Sequence, residues 1–392
     1  MDSIGGLLSL INNQKSAINN LMKPAAGSTT DIRFPAEWEP HAATWLAWPH
    51  LRGDWPGKFE PIPWVYAEII RHLGRRERVE LIVNDAESEK RARKVLARAN
   101  ALSDNVHFHR WPTDRVWTRD SGCTFVKNSD PSPSGPRESL SEKEVSAPVR
   151  EQLAALKWRF NAWAKYPNWK QDEKIGSRMA RAARARTIHP TFGSKRIVLE
   201  GGSIDSNGKG TLLTTEECLL STEQQRNAGL GREDYETVFR EYLGIRTVIW
   251  LGKGIVGDDT HGHVDDISRF VAPNTVVTVV ESKTSDPNYA PLQENLRRLR
   301  QASDQEGKPL QVIELPMPRP VVFEGRRLPA SYGNFYIANG LVLVPVFNDP
   351  NDRIALNILS DLFPDREVVG IYSGDLIWGF GAMHCMTQQQ PN

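Results

Sequence analysis

A short unit that recurs five times is the feature that most constrains how this chain can fold. Each unit opens with a polar segment carrying Gly or Asp and continues into a pattern typical of a β-hairpin. The units begin with RDSGCTFV, EGGSIDSNGKGTLLTT, HVDDISRFVAPNTVVTVV, SYGNFYIANGLVLVPVF and GFGAMHCMTQ. Their mutual similarity is too low to prove a repeat. If they surround one axis, however, their polar openings converge on one pocket, so the sequence predicts a cyclic β/α arrangement.

Other segments predict the elements that connect these units. The segments YAEIIRHLGR and NLRRLRQASD have helical spacing, and an apolar strand follows each of them. Residues 1–30 are polar with scattered leucines, and residues 128–147 are rich in Ser, Pro and Glu. We expect a partly flexible N-terminal extension, a flexible insertion at 128–147 and a single catalytic domain over 31–392. Hairpin turns are predicted at Asn207-Gly208, Pro273-Asn274 and Asn339-Gly340.

Charge and cysteine content exclude several classes of protein. The net charge is +1, which provides no electrostatic footprint for nucleic acid or for a membrane surface. No apolar run approaches the roughly 20 residues that cross a bilayer. The three cysteines are widely spaced and form no CxxC pair, so we expect a reducing compartment, the cytoplasm.

The segment GDDTHGHVDDISRF places a histidine beside a carboxylate. On an extended segment His263 and Asp265 would share a face, where the imidazole transfers protons and the carboxylate orients a cation. A structural pair that caps a loop is the alternative. A rival hypothesis is a metal-dependent amidohydrolase, since His261 and His263 form an HxH pair, as do His107 and His109. In such an enzyme Cys385 would have no role.

Two further segments carry groups that suit a flat cation. In RVWTRDSGCTFV, Trp117 and Asp120 offer an indole face and a carboxylate at the predicted mouth of a strand. A strand-end salt bridge is the alternative interpretation. In LEGGSI, Glu200 precedes two glycines that allow a ligand or a backbone segment to approach closely. Near the C-terminal end, Cys385 follows Gly and Ala residues, which are expected to clear space and expose a reactive thiol.

These groups together predict a substrate class. Carboxylates near a thiol raise its pKa and weaken it as a nucleophile, unless a cation occupies the same site. A guanidinium needs paired acceptors and a stacking surface, and its central carbon is electrophilic enough to accept a thiolate. The predicted set is one thiol, one imidazole, three carboxylates and one indole, namely Cys385, His263, Asp120, Glu200, Asp265 and Trp117.

The same residues lie in segments that resemble agmatine deiminases, in the bacterial-type peptidylarginine deiminase family of the pentein superfamily. The segments, in order, are RFPAEWEPHAATWLAWPH, WTRDSG, WRFNAWAKYPNW, LEGGSI, HGHVDD, SYGNFYIANGLVLVPVF and GAMHCMTQQQP. The resemblance implies an α/β pentein fold, a fivefold pseudosymmetric β/α propeller. It also implies hydrolysis of agmatine to N-carbamoylputrescine and ammonia, as in putrescine biosynthesis, without a metal or organic cofactor. We further expect a homo-oligomer, namely a dimer.

The resemblance also implies a role for each site residue. Cys385 matches the nucleophile and His263 the general acid/base. Asp120 and Asp265 match the carboxylates that clasp the guanidinium, with Glu200 as the supporting acid. Trp117 matches the aromatic residue of the substrate channel.

The sequence departs from the family pattern at three positions near these residues. Cys123, His261 and Asp266 stand where the family usually has Pro, Asp and Asn. The last two flank His263, so they bear on its pKa and on the identity of the substrate.

The choice of substrate depends on groups near the N-terminal end of the predicted domain. Glu39 and Asp54, with Trp48 and Trp55, favour a small dication such as agmatine. A protein-arginine deiminase that forms citrulline is the alternative. A catalytically silent binding protein is a third hypothesis, against which the intact Cys, His and Asp set argues.

Overall fold

The computed structural model describes residues 32–129 and 151–392. The predicted N-terminal extension and most of the predicted 128–147 insertion lie outside these ranges. Asn128 and Ser129, which we assigned to the insertion, instead continue a strand that pairs antiparallel with residues 151–156. The domain division otherwise stays a prediction.

The described residues form a mixed α/β fold with 21 strands in five larger sheets and two small hairpins. Runs of β-branched residues such as TVVTVV form the buried central strands. The strands are β1 (Ile32–Arg33), β2 (His41–Ala47), β3 (Arg78–Val83), β4 (Val106–Arg110), β5 (Thr124–Ser129), β6 (Glu151–Leu156), β7 (Arg186–Ile188), β8 (Thr191–Phe192), β9 (Lys195–Arg196), β10 (Asp205–Ser206), β11 (Thr211–Thr215), β12 (Thr247–Leu251), β13 (Ser268–Ala272), β14 (Thr275–Val280), β15 (Gln311–Pro316), β16 (Val322–Phe323), β17 (Arg326–Arg327), β18 (Tyr336–Ala338), β19 (Leu341–Val346), β20 (Glu367–Tyr372) and β21 (Gln388–Pro391).

Eight α-helices among the described residues connect these strands. Both predicted helices and the strands after them are present. Helix starts follow local capping chemistry, since Asp85 accepts a hydrogen bond from the Ser88 amide and Asp349 precedes Pro350 in a capping box. The helices are α1 (Ile62–Leu73), α2 (Ala86–Arg98), α3 (Thr118–Ser121), α4 (Ile175–Ala182), α5 (Glu216–Leu220), α6 (Arg232–Leu243), α7 (Tyr289–Gln301) and α8 (Pro350–Leu362).

The five larger sheets repeat one strand pattern. Each contains an antiparallel pair, and one strand of that pair has a parallel neighbour on its other side. The strand orders are β1-β5-β6-β7, β10-β11-β12, β13-β14-β15, β18-β19-β20 and β21-β2-β3-β4. The predicted hairpins at 273–274 and 339–340 are confirmed, whereas the turn at 207–208 extends to residue 210.

The fifth predicted hairpin is wrong in one respect. No second strand follows Cys385 locally, because β21 pairs antiparallel with β2 at the other end of the described chain. Local sequence patterns cannot reveal a strand partner about 345 residues away.

Hydrogen bonds between polar opening segments join the sheets in a closed order. Each bond links a residue of one unit to the next, and the last unit contacts the first. The pairs are Asp120 with Gly202, Asp205 with Arg269, Asp266 with Ser331, Asn334 with Cys385, and Met386 with Thr118. This order brings the five polar openings to one region, while fivefold pseudosymmetry itself stays a prediction.

Candidate active site

A cavity of about 460 Å³ lies where the polar openings meet. Cys385, Asp120 and Trp117 line it, as predicted for a thiol that faces a substrate pocket. The thiol is not openly exposed, because Cys385 is only 6% accessible. Gly381 explains the dense packing, since a Cβ there would meet the Trp117 ring at 2.6 Å and the Cys385 Cβ at 3.0 Å. Glycine therefore clears space for the indole beside the sulfur.

Tight turns, not extended strands, present the candidate catalytic groups. Asp120 lies in the short helix α3, which begins directly after Trp117. We had expected Asp120 at the mouth of a strand. Asp265 lies in a 3-10 turn, Val264–Asp266, that begins after His263. The turn still brings the pair together, with His263 Nδ1 4.0 Å from Asp265 Oδ1. The predicted proximity is confirmed, but the extended geometry behind it is wrong.

His263 is fully enclosed between carboxylates. Its Nδ1 lies 3.9 Å from Asp120 Oδ2, and its Nε2 lies 3.7 Å from Glu200 Oε2. Neither ring nitrogen has a hydrogen-bond partner among the described residues. Burial alone would lower the pKa of His263, but Asp120, Cys218 and Glu200 raise it well above its ordinary value. The imidazole is therefore held as a cation at neutral pH.

Asp120 is anchored at both carboxylate oxygens. Oδ1 accepts a hydrogen bond from the Gly202 amide at 3.0 Å, and Oδ2 accepts one from Trp163 Nε1 at 2.9 Å. Burial, with Asp265 and Glu200 nearby, raises the pKa of Asp120 to about 6, although His263 opposes the shift. A Cβ on Gly202 would meet His263 Nδ1 at 2.6 Å. Gly202, the second glycine after Glu200, thus allows the backbone to approach His263 closely, as predicted.

Glu200 lies beside Nε2 of the His263 imidazole and forms an ion pair with Arg226. Arg226 Nε donates to its two oxygens at 3.1 and 3.2 Å, and both side chains are fully buried. Burial would raise the pKa of Glu200, but Arg226 and His263 lower it below its ordinary value. A fixed negative charge therefore supports the His263 cation.

Asp265 connects the thiol to the rest of the site. Its Oδ2 accepts from Cys385 Sγ at 3.6 Å and lies 2.7 Å from His384 Nδ1, while its Oδ1 has no partner among the described residues. Burial would raise the pKa of Asp265, but His384, His263 and Arg269 lower it. The ionised form of Asp265 is therefore favoured, and its buried Oδ1 accepts no hydrogen bond among the described residues.

The carboxylates have the predicted effect on the thiol. Burial, followed by Asp265, Asp266 and Asp120, raises the pKa of Cys385 well above its ordinary value. These charges favour the protonated thiol over the thiolate.

Three residues that sequence reasoning missed hold this arrangement in place. His384 bridges two carboxylates, with Nδ1 2.7 Å from Asp265 Oδ2 and Nε2 2.9 Å from Glu37 Oε2. Asn334 Nδ2 donates to Cys385 Sγ at 3.0 Å and to Asp266 Oδ1 at 2.9 Å. Glu37 and Asn334 lie within the quoted family-like segments, but nothing in their local pattern indicates a partner in the site.

The predicted HxH metal pairs do not assemble. His109 Nε2 lies 2.6 Å from Glu80 Oε2, and His261 Nε2 lies 3.1 Å from Ser221 Oγ. Within the described ranges, two sets have donor atoms close enough for one ion, and neither includes His107, His109 or His261. They are Glu200 with Cys218 and His263, and Asp265 with Asp266 and Cys385.

Two of the three departures from the family pattern, Asp266 and Cys123, are buried in different surroundings. Asp266 is buried, and burial with Asp265 and Asp258 nearby raises its pKa well above its ordinary value. Its protonated, neutral form is therefore favoured, and in that form it resembles an Asn side chain in charge and shape. Cys123 lies in the hydrophobic core, where burial raises the pKa of its thiol to about 12. Neither residue brings an additional charge to the site.

The chain and its fold match a family of guanidine-modifying enzymes. The model of the Porphyromonas-type peptidyl-arginine deiminase family matches residues 33–391, so the chain belongs to that family. More particularly, the chain is 35% identical to the agmatine deiminase of Ectopseudomonas mendocina (strain ymp), over 92% of this chain and 95% of that protein.

Solved structures lead to the same group of proteins. The agmatine deiminase of Enterococcus faecalis superposes with a TM-score of 0.80 at 28% identity, over 94% of this chain and 99% of that one. The agmatine deiminase of C. jejuni superposes with a TM-score of 0.76 at 27% identity, with the same coverage of both chains.

No helix among the described residues is long and apolar enough to cross a membrane.

Proposed function

We propose that this protein is an agmatine deiminase, which hydrolyses the guanidinium of agmatine to N-carbamoylputrescine and ammonia. The observation that carries the proposal is the clustering of Cys385, His263, Asp120 and Asp265, of which Cys385 and Asp120 line the cavity. The names of the similar proteins support agmatine as the substrate. Such a reaction serves putrescine synthesis, and the three free cysteines suit a reducing cytoplasm. A homodimer stays a prediction.

In the first half of the reaction, the guanidinium lies between Asp120 and Asp265 and donates its N–H groups to their oxygens. Its positive charge offsets the carboxylates and lowers the pKa of the Cys385 thiol. The thiol gives its proton to solvent, and the resulting thiolate attacks the central carbon and forms a tetrahedral adduct. The His263 cation then gives its proton to one nitrogen, the C–N bond breaks, ammonia leaves, and an amidino-thioether remains on the sulfur.

In the second half, the now neutral imidazole of His263 takes a proton from water as the water oxygen adds to the amidino carbon. Collapse of this adduct breaks the C–S bond, gives the hydroxyl proton to solvent as the C=O bond forms, releases the ureido product and restores the thiolate. The same imidazole therefore acts first as acid and then as base. Glu200, held by Arg226, stabilises its cationic form in each cycle.

Ammonia release tests the proposal directly. Purified full-length protein should release ammonia from agmatine, and intact-mass analysis should show an adduct on Cys385. Turnover should be much slower with a blocked peptide-arginine, such as an N-acyl-arginine amide. Comparable turnover of both substrates would instead favour the alternative, a protein-arginine deiminase. No release from either would favour a silent binding protein.

The protonated state of the free thiol predicts a charge preference in alkylation. Chloroacetamidine, a planar cation, should alkylate Cys385 at least about tenfold faster at pH 7 than its neutral isostere chloroacetamide. In both cases the thiolate displaces chloride and a C–S bond forms, but only the cation lowers the thiol pKa within the carboxylate cluster. Mass spectrometry of the labelled peptide gives both rates. Equal rates on Cys385 would show that the carboxylates do not control the thiol.

A further inference from the structure

The family-like segment WRFNAWAKYPNW contains a strained turn beside the site. Ala162, Trp163 and Ala164 have backbone φ angles of 51°, 59° and 54°. Residues with a Cβ rarely adopt this left-handed conformation, and they normally do so singly rather than in succession. Such strain persists only where the surrounding structure holds it in place, and it is concentrated at functional sites.

Contacts on two sides hold this turn. The Asn161 side chain accepts a hydrogen bond from the Ala164 amide at 2.9 Å. The Trp163 ring packs edge-to-face against Phe160 and Tyr166, with ring centroids 5.3 and 6.0 Å apart. The indole is therefore fixed in one orientation.

This orientation determines how Asp120 meets its neighbours. Trp163 lines the cavity, and its Nε1 donates to Asp120 Oδ2 at 2.9 Å. Oδ2 is also the oxygen that His263 Nδ1 faces at 3.9 Å, which is too far for a hydrogen bond. Because the indole satisfies Oδ2, the carboxylate has no need to turn toward His263, and the ring nitrogen stays available to a substrate. A carboxylate oxygen accepts more than one hydrogen bond, so Asp120 can still bind a guanidinium.

We propose that Trp163 is a positioning residue, which fixes the Asp120 carboxylate for the guanidinium and keeps it apart from the catalytic imidazole. This inference rests on the proposed function, and it gives the left-handed turn a role, because the turn presents the indole N–H to Asp120. An indole N–H is a donor only, so it stabilises the ionised carboxylate through a charge-assisted hydrogen bond.

The pH dependence of the reaction reports on this contact. Burial raises the pKa of Asp120 to about 6, with His263 and the Trp163 N–H opposing the shift. Loss of the N–H should raise the pKa of Asp120 further, since the ionised form loses a donor. Binding of the guanidinium needs that ionised form, so the acid side of the pH profile should move to higher pH. The titratable groups that face Asp120 are His263, Asp265, Glu200 and Cys385.

Trp163→Phe removes the donor and keeps an aromatic ring in the turn. It should lower kcat/KM for agmatine at least about tenfold at pH 6. The loss should be about fivefold smaller at pH 8, where Asp120 is ionised in both proteins. An equal loss at the two pH values would show that Trp163 only supports the fold, and no loss would show that Asp120 needs no such donor. Either result would overturn the proposal.

Trp158→Phe is the matched control. Trp158 lies in the same family-like segment, and its Nε1 donates to Thr124 Oγ1 at 3.0 Å, within a separate hydrophobic cluster. The substitution removes an equally buried indole donor that does not contact Asp120. It should change kcat/KM by no more than about threefold at either pH. A pH-dependent loss like that of Trp163→Phe would contradict a specific role for Trp163.

NMR of the indole groups tests the contact in the unaltered protein and needs no turnover. With the indole nitrogens labelled with ¹⁵N, one N–H signal should move as the pH passes through about 6, and Asp120→Asn should abolish that movement. Absence of such a signal would overturn the proposal even where Trp163→Phe fails to fold. If the signal were present but the unaltered protein did not turn over agmatine, only the proposed function would fail, and the contact would stand.

Discussion

Replacement of Cys385 by Ser should lower kcat for agmatine by about 10⁴-fold or more, the scale seen when a covalent nucleophile is lost. A serine hydroxyl keeps the hydrogen-bonding position of the thiol beside Asn334 and Asp265. It ionises far less readily than a thiol, and the carboxylates around it oppose ionisation further. A bound guanidinium cannot lower its pKa enough for attack. Coupled-assay ammonia release gives the rate, and intact-mass analysis should show no adduct.

A second cysteine provides the matched control for this substitution. Cys123 is buried like Cys385 but does not line the cavity, and burial raises the pKa of its thiol to about 12. Cys123→Ala should leave kcat within about threefold and lower stability by about 1 kcal/mol. Near-native turnover by Cys385→Ser, or an adduct that persists without Cys385, would rule out this nucleophile.

Asp265→Asn should lower kcat/KM for agmatine by about 10²- to 10³-fold, because it removes an ionised partner from a buried charge cluster. The carboxylate of Asp265 has a lowered pKa and one free oxygen, so the guanidinium loses both a charge and an acceptor. His384 would also lose the charge that faces its Nδ1 at 2.7 Å. Steady-state kinetics at pH 7 would measure the loss.

The same substitution at the adjacent residue, Asp266, should leave the activity nearly unchanged. Asp266 is held neutral by its raised pKa, and its Oδ1 accepts from Asn334 Nδ2 at 2.9 Å. Asn at this position keeps an acceptor oxygen and adds no charge, so Asp266→Asn should retain kcat/KM within about threefold. A large, equal loss in both variants, with melting temperatures unchanged, would contradict the different charges assigned to the two aspartates.

The chemistry of the site was predictable because it depends on residue types that few other sites need. A thiol, an imidazole and three carboxylates required a cation in the same place, and the structure places Cys385, His263 and Asp265 together. The local geometry was less predictable. Alternation predicted an extended segment for His263 and Asp265, whereas the chain forms a tight turn there.

The supporting residues were out of reach for a different reason. Glu37 contacts His384, Arg119 and Arg269, which are 82 to 347 residues away along the chain. No periodic pattern in the sequence encodes such a pairing. Each of these charged residues, seen alone in the sequence, could equally be an unrelated buried or surface charge. The network therefore becomes visible only when the sheets are assembled.

The pairing of β21 with β2 has a consequence for when the protein can become active. The reactive sulfur lies three residues before a strand whose partner, β2, forms near the start of the described chain. At a synthesis rate of roughly 5–20 residues per second, β2 is made about 345 residues before its antiparallel partner. A nascent chain that has not yet reached Cys385 therefore lacks the nucleophile and cannot attack guanidines.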